Sequence, residues 1–422
     1  IKLISNKKHM KTITLIITLL CLSLSGIAQN NAKKEFEKKY GALVKEIMNV
    51  REQKDYKKAE KLNWEILKLY DALPQTLQER ARQIAGLTYY DLACYQSLQG
   101  KKKAALNNLE KAFANGWSNY NHAKSDSDLD NLRKEKRYLE VLSKMRLDSD
   151  YLYILQQANG YNRTETKPVC HNESLTDTLP RFTYMNPNDS NLVYLRKHFN
   201  LDSIAGSGDE ISKIKNLLYW VHNIVPHDGN SRNPEEQNTI AMVELCQKEK
   251  RGVNCRMMAQ MLNECYLAMG FKSRYITCMP KVMINDCHVI NAVYSNTLDK
   301  WLWMDPTFNA YVTDEKGNLL GIGEVRERLR KNEPIVLNED ANWNNKNKQT
   351  KEYYLDYYMA KNLYYVTCPL RSEYNAETNY PGKKWSMHIS LVPEGYSTNG
   401  KSGATPYDSH NDLYFWQSPY QE

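Results

Sequence analysis

In RGVNCRMMAQMLNECYLAMG, residues Arg251–Gly270, a glycine and a short polar segment precede a cysteine, and a run of helix-forming residues then continues to a second glycine. Gly252 marks a turn, and Cys255 falls in the first turn of the predicted helix. At that position the unbonded N–H groups and the positive end of the helix dipole favour a thiolate. Cysteine is equally at home as a small apolar core residue, and Cys265 in "NECYL" reads that way. The chemistry predicted for Cys255 therefore depends on what surrounds it.

A thiolate does acyl chemistry with the help of a base, and the base needs a third group to orient it. Downstream, "FKSRYITCM", "CHVINAVY" and "KWLWMDPTF" have strand-like composition and are separated by turn residues. His288 opens the second run and Asp305 closes "KWLWMD" in the third. The short "SNTLDK" between these runs predicts a hairpin turning near Thr297 and Leu298. His288 and Asp305 then lie within about two residues of opposite one another, a diagonal that an imidazole and a carboxylate can span. Upstream, "DEISKIKNLLYWVHNIV" and "NTIAMVELCQKEK" carry helical stripes. Helices followed by an antiparallel sheet make an α+β layout.

The three segments "RGVNCRMMAQMLNECYLAMGFKSRYI", the strand starting at His288 and "WLWMDPT" together resemble, in order and spacing, the transglutaminase-like superfamily of papain-type cysteine enzymes, over roughly Ser203 to Asn318. One departure is that Gly252 stands three residues before Cys255, where many members have a glycine two before, which predicts an extra loop residue. The resemblance implies that Cys255 is the nucleophile, His288 the general base and then acid, and Asp305 its orienter. No cofactor is expected, and no metal, since Cys278 and Cys287 have no second cysteine pair at metal-ligand spacing. The oxyanion would take the Cys255 backbone N–H and a second donor that the sequence leaves unassigned. His227 in "VPHDGN" reads as a loop residue more readily than a functional one. Trp220, Trp301 and Trp303 read as packing, and Arg256 as fixing the loop.

The rest of the chain divides by composition. Residues 1–28 carry "KKHMK", an apolar run from Ile13 to Leu24 and small residues at Gly26 to Ala28, as a cleaved signal peptide does. Export to the periplasm or outside, with cleavage near Ala28, is the expectation. Residues 33–147 show helical periodicity. "DLACYQSLQGKKKAALNNLEKAFANGW" is similar to a tetratricopeptide unit, with small residues at Gly100, Ala105 and Ala112. Residues 148–202 read as a linker, 203–345 as the catalytic domain, and 346–422 as a tyrosine-rich β extension with strands at "WSMHISLVP" and "DLYFWQ".

The formal charge of +8 falls to +4 without the first 28 residues, which hold four lysines and no acid. That is too mild for a nucleic-acid partner, and no later segment reaches the ~18 apolar residues of a membrane span. Eight cysteines remain after the signal, and their pairing stays open. The sequence thus predicts an exported cysteine hydrolase acting on a peptide or protein through an acyl-enzyme. Transfer of the acyl group to an amine, as a protein-glutamine transglutaminase does, is the alternative. A second is an inactive scaffold whose helical repeats dock a protein partner.

Overall fold

The computed structural model describes residues 27–175, 180–282, 286–401 and 404–419. The expected signal segment lies outside them, except that Ile27 and Ala28 open the first helix. The chain forms two compact units, one ending at Asp150 and one beginning at Tyr151. No helix among the described residues is long and apolar enough to cross a membrane.

The first unit is helical: α1 (Ile27–Glu52), α2 (Tyr56–Asp71), α3 (Gln75–Leu98), α4 (Lys102–Ala114), α5 (Tyr120–Ser125) and α6 (Lys136–Ser149). The first four pack on their sequence neighbours across short turns. Ala59, Ala105 and Ala112 are fully buried, which lets neighbouring helices approach closely. The second and fourth helices begin at Tyr56 and Lys102, 46 residues apart rather than the 34 of the tetratricopeptide period.

The second unit is built on a seven-stranded, mostly antiparallel sheet. Its strands are β1 (Val169–Cys170), β2 (Ser273–Met279), β3 (His288–Ser295), β4 (Lys300–Met304), β5 (Tyr365–Pro369), β6 (His388–Leu391) and β7 (Tyr407–Ser409), in the order β1-β7-β6-β5-β2-β3-β4. The sheet packs against α7 (Ser190–His198), α8 (Leu201–Ala205), α9 (Glu210–Ile224), α10 (Thr239–Glu249) and α11 (Cys255–Ala268) through a core of Leu, Val and Met side chains. A further helix, α12 (Ile322–Lys331), joins the core of the other face.

Each helix near the site starts where its sequence says it should. Asp209 caps α9 by accepting from the Ser212 N–H, Asn238 caps α10 from Ala241, and Asn254 caps α11 from Met257 at 3.1 Å. Gly270, at φ +85°, ends α11 in the left-handed conformation that glycine adopts without strain. Every residue of α11 from Met257 to Ala268 is buried. Ala259 faces Tyr275 and Val289 of the sheet, while Met258, Met261 and Leu262 join the helical layer. Each such large side chain contributes roughly 1.5–3 kcal/mol, so the helix that carries Cys255 is anchored on all sides.

Two boundaries differ from those that composition suggests. Residues 148–202 hold β1, α7 and the start of α8, and residues 346–422 supply β5, β6 and β7, so linker, catalytic domain and extension share one sheet. "DLYFWQ" is not a strand: Asn411 accepts from the N–H groups of Leu413 and Tyr414 and starts a short helix at Asp412–Phe415. There local capping overrides aromatic β-propensity.

Candidate active site

Asn291 pairs with Met304 across β3 and β4, so Asp305 falls opposite Ile290, two residues from His288. Across that diagonal His288 Nε2 lies 2.7 Å from Asp305 Oδ2. The same oxygen accepts the Tyr354 hydroxyl at 2.5 Å, and Oδ1 accepts the Thr307 N–H at 2.9 Å. Asp305 is fully buried and His288 is 1% exposed. With a carboxylate on Nε2, the ring turns Nδ1 away from the acid, and Nδ1 has no other partner. The ring lies close enough to Cys255 for each group to shift the protonation of the other.

Cys255 sits at the start of α11, partly exposed, against the Val289 end of β3. Burial pushes its thiol up, but hydrogen bonds from His227 and His288, the charge of His288 and the Val289 N–H outweigh it and hold the pKa down to about 6. Burial pulls His288 the other way, and the Asp305 charge, the Asp305 hydrogen bond and the Cys255 thiolate push it up to about 10. The two groups therefore rest as a thiolate and an imidazolium. Cys265, on the same helix, is wholly buried, and its thiol is raised far above the usual range. One helix holds a charged sulfur at its first residue and an inert one three turns later.

Gly252 explains the extra loop residue. Its neighbour Val253 bridges His227 in parallel, with Asp228 N–H donating to the Val253 carbonyl at 2.8 Å and Val253 N–H to the Pro226 carbonyl at 3.0 Å. A Cβ at 252 would lie 2.5 Å from the Pro226 oxygen, so only glycine lets the segment 226–228 cross here. The crossing brings His227 beside Cys255, a placement the sequence did not indicate. Trp343 donates its indole N–H to His227 Nδ1 at 2.9 Å. The Asn344 side chain accepts the His227 N–H at 2.7 Å and donates to its carbonyl at 2.9 Å.

The remaining neighbours hold the frame. His222 Nδ1 lies 2.9 Å from the Pro306 carbonyl and its Nε2 3.0 Å from Asn342 Oδ1, which ties α9 to the loop after Asp305. Arg256 donates to Glu377 and to Thr277, each at 3.0 Å, and Tyr275 donates to the same Glu377 oxygen at 2.8 Å. Those bonds engage the Arg256 guanidinium within the protein. Phe308 and Tyr358 pack on the His288 ring at 5.5 and 5.2 Å between centroids. Trp301 and Trp303 are buried in the sheet's core, and Trp220 packs on Phe199.

All eight cysteines of the described residues are free thiols. In the first unit Cys94, Asp126 and Asp128 bring three ligand-type atoms within 4.8 Å, yet Asp126 already accepts from the Tyr90 hydroxyl and the Asp128 N–H. A cavity of about 650 Å³ in the second unit is lined by Tyr161, Tyr294, Trp301, Glu327, Asp412 and Trp416 and contains none of the residues around Cys255.

A sulfur on a helix start, an imidazole on one strand and a carboxylate at the end of the next define a papain-type Cys-His-Asp arrangement. Residues 197–306 match the family model of the transglutaminase-like superfamily, so the chain carries a transglutaminase-like domain within its second unit. A crystal structure from Cytophaga hutchinsonii, described as a candidate cysteine protease, is similar at 18% identity over 35% of this chain and 46% of that one, with a TM-score of 0.23. The match thus spans less than half of that protein's length. No curated protein matches the chain.

Proposed function

We propose that the protein is an exported cysteine hydrolase that opens an amide, peptide or isopeptide bond through a Cys255 acyl-enzyme. The observation that carries this reading is the division of the His288 ring, with Nε2 on the buried Asp305 carboxylate and Nδ1 left without a protein hydrogen bond, beside a Cys255 whose thiol pKa it lowers. The signal-like residues 1–28 support export, and the transglutaminase-like match supports the cysteine chemistry.

In the first half-reaction the thiolate attacks the carbonyl carbon and forms a C–S bond, and the carbonyl electron pair moves to oxygen. The first-turn N–H of Cys255 has no carbonyl four residues back to bond within the helix, and donates to that oxyanion. The oxyanion collapses, the C–N bond breaks, and His288 gives its Nδ1 proton to the leaving amine. A thioester remains. In the second half-reaction water attacks the thioester while His288 takes its proton. The acid leaves, and thiolate and imidazolium are restored. Asp305 holds the ring in place through both halves, accepting from His288, Tyr354 and Thr307.

The test is alkylation of Cys255 against pH, read by peptide mass mapping, followed by a peptide and isopeptide library with and without a primary amine. The expected result is a sulfur reactive below pH ~7, slowed by His288→Ala, with amine release and no amine incorporation. Incorporation of the added amine would instead assign acyl transfer. A thiol titrating near the ordinary ~8.5, with no turnover, would overturn the enzyme and leave the scaffold.

A further inference from the structure

Two imidazoles lie beside Cys255, and one nitrogen of each has a partner of opposite kind. His288 Nε2 faces the Asp305 carboxylate, which only accepts hydrogen bonds when ionised. His227 Nδ1 faces the Trp343 indole N–H at 2.9 Å, which only donates. From these partners we infer that His227 is a fixed hydrogen-bond donor to the oxyanion formed at Cys255, supplying the second donor beside the Cys255 N–H, and that it is no second base.

The argument begins with the tautomer. The indole occupies the Nδ1 lone pair, so the neutral ring's hydrogen sits on Nε2, the one ring nitrogen left to donate beside Cys255. An Nε2 that already carries hydrogen cannot take one from the sulfur or from water. It can only donate. His288 is the reverse case: its Asp305-facing nitrogen carries the hydrogen, and its sulfur-facing nitrogen exchanges a proton.

Position supports the same role. An oxyanion donor works when it is already in place and need not reorganise. The backbone at His227 is held by the two bonds that its neighbours Pro226 and Asp228 make to Val253 and by both polar groups of the Asn344 side chain. The Val253 segment leads directly into Cys255, so the ring and the nucleophile are held by one stretch of backbone. When the thiolate attacks, negative charge leaves sulfur for the carbonyl oxygen next to it, and a donor that served the first can serve the second.

This inference rests on the proposed acyl chemistry, and the experiment separates the two. Two reagents react at the same sulfur: iodoacetamide, which is displaced at a saturated carbon and forms no oxyanion, and p-nitrophenyl acetate, which must form one and whose leaving group needs no acid. Both rates are measured at pH 9 for the wild type, His227→Ala, His227→Gln and Trp343→Phe. The expected result is acylation lowered by about 10²- to 10³-fold in His227→Ala, with alkylation changed by no more than a few-fold. His227→Gln, which restores an N–H donor, recovers part of the loss, and Trp343→Phe loses acylation selectively. If His227→Ala acylates like the wild type, or loses both reactions in proportion, the donor role is wrong while the hydrolase reading stands. A wild-type protein that alkylates but never acylates would overturn the hydrolase reading and the donor role with it.

Discussion

Gly252 and Pro226 touch where no side chain fits: a Cβ on the glycine would stand 2.5 Å from the proline's carbonyl oxygen and 2.9 Å from the Asp228 Cβ. The first of those neighbours is backbone and cannot rotate away. Gly252→Ala is expected to cost about 1–3 kcal/mol and to shift the segment carrying His227. Chemical denaturation reads the first effect, and the p-nitrophenyl acetate burst reads the second.

The thiolate and imidazolium set the pH range of turnover. Thiolate forms as pH rises through about 6, and the imidazolium that protonates the leaving amine is lost as pH rises through about 10. Amide turnover is therefore expected to be bell-shaped between those limits. His288→Ala removes the cationic partner, so the iodoacetamide profile of Cys255 should move up toward the ordinary ~8.5. A wild-type profile already at that value would contradict the ion pair.

Asp305→Asn keeps the size of the side chain and removes its charge. The His288 ring then loses both its orientation and the attraction that keeps it protonated. Turnover is expected to fall by about 10²- to 10⁴-fold, and the upper pH limit should move down. Steady-state kinetics across pH would show both changes together.

Tyr354 is the quieter member of this group. Its buried hydroxyl donates to the same Asp305 oxygen that accepts from His288. Tyr354→Phe leaves that carboxylate with one donor fewer and is expected to destabilise the fold by about 1.5–3 kcal/mol. Thermal and urea denaturation of the variant would measure it.

The site residues that could be read from sequence are those whose placement is local. Cys255 follows a glycine and leads a run of helix formers, and His288 and Asp305 are joined by a hairpin whose short turn fixes their offset. His227 and Tyr354 lack such a signal. Trp343 lies 116 residues beyond His227, and Tyr354 lies 49 beyond Asp305, so their contacts depend on how loops are brought together. The glycine offset at 252 was the one trace of His227, visible as an unusual spacing without its cause. The sheet behaves alike. Strands β2, β3 and β4 are long and legible, but β1 has two residues and β5 lies in a tyrosine-rich tail whose period shows little alternation. The final segment misled because its aromatic residues favour strand while Asn411 caps a helix.

The sheet's connectivity bears on synthesis as well as on shape. Strand β2, which leads out of the nucleophile helix, borders β5, and beyond it β6 and β7 reach back to β1 near the unit's beginning. A ribosome that has just made Asp305 has delivered every acid, base and nucleophile of the site, but β5, β6 and β7 are still untranslated, and so are Trp343 and Tyr354. The nascent chain thus holds the chemistry without the wall behind it. Trp343 and Tyr354, which bond to His227 and Asp305, are translated after the nucleophile they serve.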